Sequence, residues 1–120
     1  MKFCWSTLKV KNMEESLSFY KDIVGLEIKS RFEAGPVMEI AFLGSGETKI
    51  ELICDKNDNN VSHSGYISLG FEIDSVVDMM KYVKQQGLSI HSGPFEPNST
   101  IKFFYVLDPN GLKIQFIESK

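Results

Sequence analysis

The sequence predicts an α+β fold in which two tandem βαβββ modules form paired, curved mixed sheets around a central cavity, with the helices outside. Three observations carry that expectation. Residues 42–53, FLGSGETKIELI, return 64 positions later as residues 106–117, VLDPNGLKIQFI, without a gap and with Leu43/Leu107, Lys49/Lys113, Ile50/Ile114 and Ile53/Ile117 identical. Each copy follows the same succession of an alternating stretch, a helical period and further alternating stretches. Residues 55–65, DKNDNNVSHSG, are a polar stretch of low hydrophobicity almost midway along the chain. Module 1 therefore runs over about residues 1–55, a linker over 56–64 and module 2 over about 65–120.

Phe3–Val10 alternates, with Leu8 and Val10 on one face and Trp5 and Thr7 on the other, as a half-buried strand does. Asn12 then has the character of a helix N-cap, and Glu15 completes the capping-box spacing. Leu17, Tyr20, Ile23 and Val24 follow at helical intervals until Gly25 stops a helix of about 11 residues. Strands are expected at Leu26–Arg31, Val37–Leu43 and Thr48–Cys54, separated by the turn-forming clusters 33–36 and 44–46. In the second module the same reading gives a strand over Tyr66–Ile73, an N-cap at Asp74 and a helix presenting Val76, Met80 and Val83, with Gly87 as its stop. Strands follow near Leu88–His91, Ile101–Leu107 and Leu112–Ile117. Asp108-Pro109-Asn110-Gly111 suits a tight turn, Pro fixing φ and Gly accepting a positive φ.

At 120 residues and 42% hydrophobic, the chain can bury one core, whereas halves of about 60 residues would be marginal alone. A net charge of −3 without a Lys/Arg run gives no field that gathers phosphates, so neither nucleic acid nor an acidic membrane is an expected partner. The N-terminus lacks the continuous apolar stretch of a signal peptide, and no segment reaches the roughly 20 apolar residues of a membrane span. A cytoplasmic protein is expected. Cys4 and Cys54 have no CxxC spacing and read as small buried hydrophobes.

The segments LKVKNMEESLSFYKDIVGLEI (8–28), LGSGETKIELI (43–53), GYISLGFEID (65–74) and YVLDPNGLKIQFIES (105–119) resemble the vicinal oxygen chelate superfamily over essentially the whole chain. That superfamily includes lactoylglutathione lyase (glyoxalase I), bleomycin-resistance proteins, methylmalonyl-CoA epimerase and extradiol dioxygenases. The closest look is to small glyoxalase I-like proteins. The resemblance implies a cavity shared by the two modules and, in glyoxalase I-like relatives, a divalent metal held by four side chains, typically two His and two Glu. Carried over, those positions fall on Trp5, Glu51, Tyr66 and Gln115, and only Glu51 keeps the relatives' chemistry. An indole nitrogen has no accessible lone pair, a phenol is a poor ligand at neutral pH and a carboxamide oxygen binds weakly. No metal or other cofactor is therefore expected. His63 and His91 map onto no ligand position and read as solvent-facing. Asp55 stands where relatives carry an amide that contacts glutathione, and its charge would oppose that ligand's carboxylates. Lys9, near a basic position of some relatives, is compatible with an anionic group.

Strand parity places Trp5, Thr7, Lys49, Glu51, Tyr66, Ser68, Lys113 and Gln115 on the inward faces, and Leu8, Val10, Leu69 and Phe71 against the helices. The expected cavity suits a planar or amphipathic organic molecule, with Trp5 and Tyr66 stacking and Thr7, Glu51, Ser68 and Gln115 lining or orienting it. Two functions are consistent with this lining. One is sequestration of a small organic molecule without metal, and the other a lyase or isomerase using Glu51 as metal ligand or general base. A structural domain with a closed cavity is a third possibility. A homodimer is expected from the resemblance, with Phe32 and Phe95 as candidate interface residues.

Overall fold

Period-two burial organises both halves of the chain. The computed structural model describes residues 1–63 and 65–120, as two units, Met1–Val61 and Ser62–Lys120. Ser64, within the anticipated linker, lies outside the described residues. The polar segment ahead of it belongs partly to the first unit, where Lys56 N donates to Val37 O at 2.7 Å and Lys9 pairs with Asp58 at 3.7 Å.

In the first unit, β1 (Ser6–Lys9) is followed by α1 (Met13–Ser18), which continues as a π-helical turn over Phe19–Ile23. Then come β2 (Ile28–Glu33), β3 (Met38–Leu43) and β4 (Ile50–Asp55) in a mixed sheet of order β1-β4-β3-β2, with only the β1–β4 pair parallel. Asn12 caps α1, its side chain accepting from Glu15 N at 2.9 Å, and Gly25 ends the helical run at φ +88°. Ile50, Leu52 and Cys54 of β4 point into the core with Leu8, Ala41 and Leu43, against Met13, Leu17 and Tyr20. Since the strand period is two, Glu51, Ile53 and Asp55 lie on the opposite face. Arg31 ties α1 to the sheet through Glu14 and through Glu39 at 2.5 Å. Those hydrogen bonds, Glu39 first, push the guanidinium pKa above its ordinary value.

The second unit repeats the plan with β5 (Ser68–Ile73), α2 (Val76–Gln85), β6 (Ser92–Asn98), β7 (Ile101–Leu107) and β8 (Lys113–Ser119), in the order β5-β8-β7-β6. The fold is thus α+β and two-module, with two four-stranded mixed sheets among the described residues. Its core joins Val76 and Val83 of α2 to Phe104, Val106, Ile114 and Phe116. The anticipated turn forms as expected: Asp108 Oδ1 accepts from Asn110 N at 2.8 Å and from Leu112 N at 2.9 Å, and Gly111 takes φ +85°.

Several boundaries differ from expectation for local reasons. The cap of α2 is Ser75, which accepts from Asp78 N at 3.1 Å, and not Asp74; Glu118 of β8 also accepts from Val76 N at 2.7 Å. The strand expected at Leu88–His91 forms instead over Ser92–Asn98. It can hold Pro94 and Pro97 because it is an edge strand paired only with β7, where missing donors can face outward. The strand expected from Thr48 begins at Ile50, because Gly46–Thr48 closes a 3₁₀ turn in which Thr48 N and Oγ1 both donate to Ser45 O. Cys54 is buried as expected, but Cys4 is exposed because it precedes β1; both thiols are free. No helix is long and apolar enough to cross a membrane, among the described residues.

Candidate ligand-binding faces of the two sheets

On the first sheet, the face away from α1 carries a cross-strand row set by register: Thr7 opposite Glu51, Glu51 opposite Phe42, and Phe42 opposite Ser30. Thr7 Oγ1 donates to Glu51 Oε1 at 2.7 Å, which orients the carboxylate. Trp5 lies just ahead of β1, anchored by the Ser6 N to Lys49 O hydrogen bond. Its indole meets Phe42 edge to face, with centroids 5.2 Å apart, and Lys49 Nζ sits 5.7 Å from the indole centroid. Beside it opens a cleft of about 450 Å³ lined by Trp5, Phe42, Lys29, Ser30, Lys49 and the 44–46 turn. Trp5 is 41% exposed, so this wall is accessible. Gly44 is required there: at φ +80°, an added Cβ would lie 2.9 Å from Thr48 O.

On the second sheet the corresponding row is Gly70, Gln115, Tyr105 and Ser92. Lys113 Nζ lies 5.0 Å from the Tyr105 ring, and Phe95, Phe103 and Tyr105 contact one another. Register shows which residues correspond. Ile50 opposes Ser6 and Ile114 opposes Leu69, so the counterpart of Trp5 is Ser68 and that of Thr7 is Gly70. Tyr66, expected to stack opposite Trp5, falls two residues before β5 and is 99% exposed. The physical reason is the ladder: the β5–β8 pairing begins with Ser68 opposite Lys113, so Tyr66, of the same parity as Ser68, stays ahead of the sheet.

The sequence-predicted residues thus divide. Trp5, Thr7, Glu51 and Lys49 share one face of the first sheet; Ser68, Gln115 and Lys113 share one face of the second. Phe42, Lys29 and Ser30 were not anticipated, although the alternation of Met38–Leu43 already puts Phe42 opposite to Ala41 and Leu43. His91 is exposed as expected, with Nδ1 3.2 Å from Ser92 Oγ, whereas His63 is half-buried. Asp55 is committed to a turn, accepting from Asn57 N at 2.9 Å.

The profile described as Glyoxalase/Bleomycin resistance protein/Dioxygenase superfamily matches residues 4–116. The chain belongs to this superfamily. A protein named lactoylglutathione lyase from Neisseria meningitidis is 29% identical over 100% of this chain and 92% of its own length. Another of that name from Haemophilus influenzae is 30% identical over 100% and 94%. The solved trypanothione-dependent glyoxalase I of Leishmania major shares the fold at TM-score 0.82 and 18% identity, covering 98% of this chain and 86% of that one. An integron cassette protein from Vibrio cholerae matches at TM-score 0.74 and 27% identity, over 100% and 96%.

The metal that the superfamily resemblance implies does not suit the side chains present. With the register as observed, the four positions hold an indole, a carboxylate, a hydroxyl at Ser68 and a carboxamide. One carboxylate among three weak or non-ligating groups is not a donor set for a tightly held transition metal. The carboxylate is itself engaged by Thr7.

Proposed function

We propose that this superfamily member binds a small organic molecule without a metal, seated on the Trp5 face of the first sheet. The observation that carries this reading is an accessible indole packed on Phe42 beside an open cleft. Aromatic walls suit a planar or amphipathic ligand, with Ser30 and Lys49 of the lining as polar contacts, and Glu51, oriented by Thr7, stands on the same sheet face beyond the lining. Mass spectrometry of small molecules released from the purified protein tests it. A compound recovered from the native chain and absent from Trp5→Leu supports the reading; equal recovery from both overturns it.

A second reading, a lyase or isomerase, is favoured by the full-length match to relatives named lactoylglutathione lyase. Glu51 would then take a proton next to a carbonyl, with the Thr7 hydroxyl holding the carboxylate in place. Turnover of a hemithioacetal, with and without added Ni²⁺ or Zn²⁺, tests this version. Activity that disappears in Glu51→Gln establishes it, and no turnover under either condition removes it. A cytoplasmic homodimer completes the proposal, to be checked by cell fractionation and light scattering.

A further inference from the structure

Resting on the reading that the Trp5 face holds an organic molecule, we propose that its ligand is a planar aromatic anion, its ring against Trp5 and Phe42 and its carboxylate held by Lys49 and Lys29. The charged side chains lining the cleft are both lysines, in a chain whose net charge is −3, so the cleft has the opposite sign to the molecule. No acidic residue lines it; Glu27, which pairs with Lys29 at 3.1 Å, and Glu51 lie outside the lining.

The placement of Lys29 has a structural cause. Consecutive strand residues ordinarily point to opposite faces, yet Lys29 and Ser30 both line the cleft. The β2–β3 register shifts between Ile28 and Ser30, and such an irregularity re-aims a side chain. A lysine is thereby added to a wall that already holds a serine hydroxyl. On the other side, Lys49 is held against the indole at 5.7 Å, within reach of an acid group at the edge of a stacked ring. A volume of about 450 Å³ lies within the range of small-molecule sites.

Three probes of one shape separate the contributions: 2-naphthoate, 2-naphthamide and 2-naphthylmethylamine. Trp5 is the sole tryptophan, so its single indole N–H resonance reports binding at this wall, and calorimetry gives the affinities. The proposal predicts that naphthoate binds about tenfold more tightly than the amide at low salt, with the difference shrinking as salt rises. Lys49→Met and Lys29→Met should each weaken naphthoate binding several-fold and leave the amide unchanged, with circular dichroism confirming the fold. Equal affinity for acid and amide, or preference for the amine, overturns the anion inference while leaving the Trp5 site intact. Failure of all three probes to move the indole resonance overturns both the inference and the binding face on which it rests.

Discussion

Replacing Leu52 by alanine tests the parity on which the assignment of the ligand face depends. Leu52 is 0% exposed in the middle of β4, opposite Leu8 on one side and Ala41 on the other. The truncation removes three carbon atoms, a transfer loss of roughly 2.5 kcal/mol at about 0.8 kcal/mol per methylene-sized group. Its neighbour Ala41 has no side chain to move into the void, so a cavity penalty adds to the loss, and the total comes to about 3–4 kcal/mol. Ile53, one residue on and half-buried on the opposite face, should cost about 1 kcal/mol as alanine. Urea denaturation followed by circular dichroism measures both. At a slope of about 1–3 kcal/mol per molar, Leu52→Ala should lower the midpoint by roughly 1–4 M. A loss below 1 kcal/mol for Leu52→Ala, with a larger one for Ile53→Ala, would mean that β4 is turned over and that Glu51 faces the core.

Asp108→Ala should cost about 2 kcal/mol in the same assay, because it leaves the Asn110 and Leu112 N–H groups of a buried turn without their acceptor. Gly44→Ala should cost about 2 kcal/mol and weaken ligand binding, since a positive φ and a 2.9 Å contact with Thr48 O both oppose a Cβ beside the cleft. Arg31→Met should cost about 1 kcal/mol at low salt and less at high salt, the side chain being exposed enough for its pairs to be screened. The raised guanidinium pKa keeps Arg31 charged at every pH below its ordinary value, so its own ionisation should leave stability unchanged between pH 5 and 9, as pH-dependent urea midpoints of Arg31→Met against the native chain will show.

Much of the fold was legible because period and caps act locally. The spacing of Asn12 and Glu15 identifies a cap that forms as written, and the alternation over Ile101–Leu107 gives β7 to the residue. The misplacements arise where two local signals compete. Counting from the leading aromatic pairs Trp5 with Tyr66. Counting back seven residues from each helix cap, Asn12 and Ser75, pairs Trp5 with Ser68. The strand ladder enforces the second, because β5 pairs Leu69 with Ile114 where β1 pairs Ser6 with Ile50. Ser75 beside Asp74 hid that count, either residue being a good cap by type. At the first sheet, Trp5, Thr7 and Glu51 were readable from alternation, but Lys29 was not, since only the β2–β3 register irregularity brings it to the cleft.

The account turns on binding without a cation, and metal retention tests that directly. The 120-residue chain should be dialysed to equilibrium against Ni²⁺ and, separately, Zn²⁺, then passed through a desalting column and assayed by elemental analysis. Retention far below one equivalent per chain is predicted for both ions, with the Trp5 indole resonance unmoved. Near-stoichiometric retention that disappears in Glu51→Gln would contradict the account and restore a chelate site.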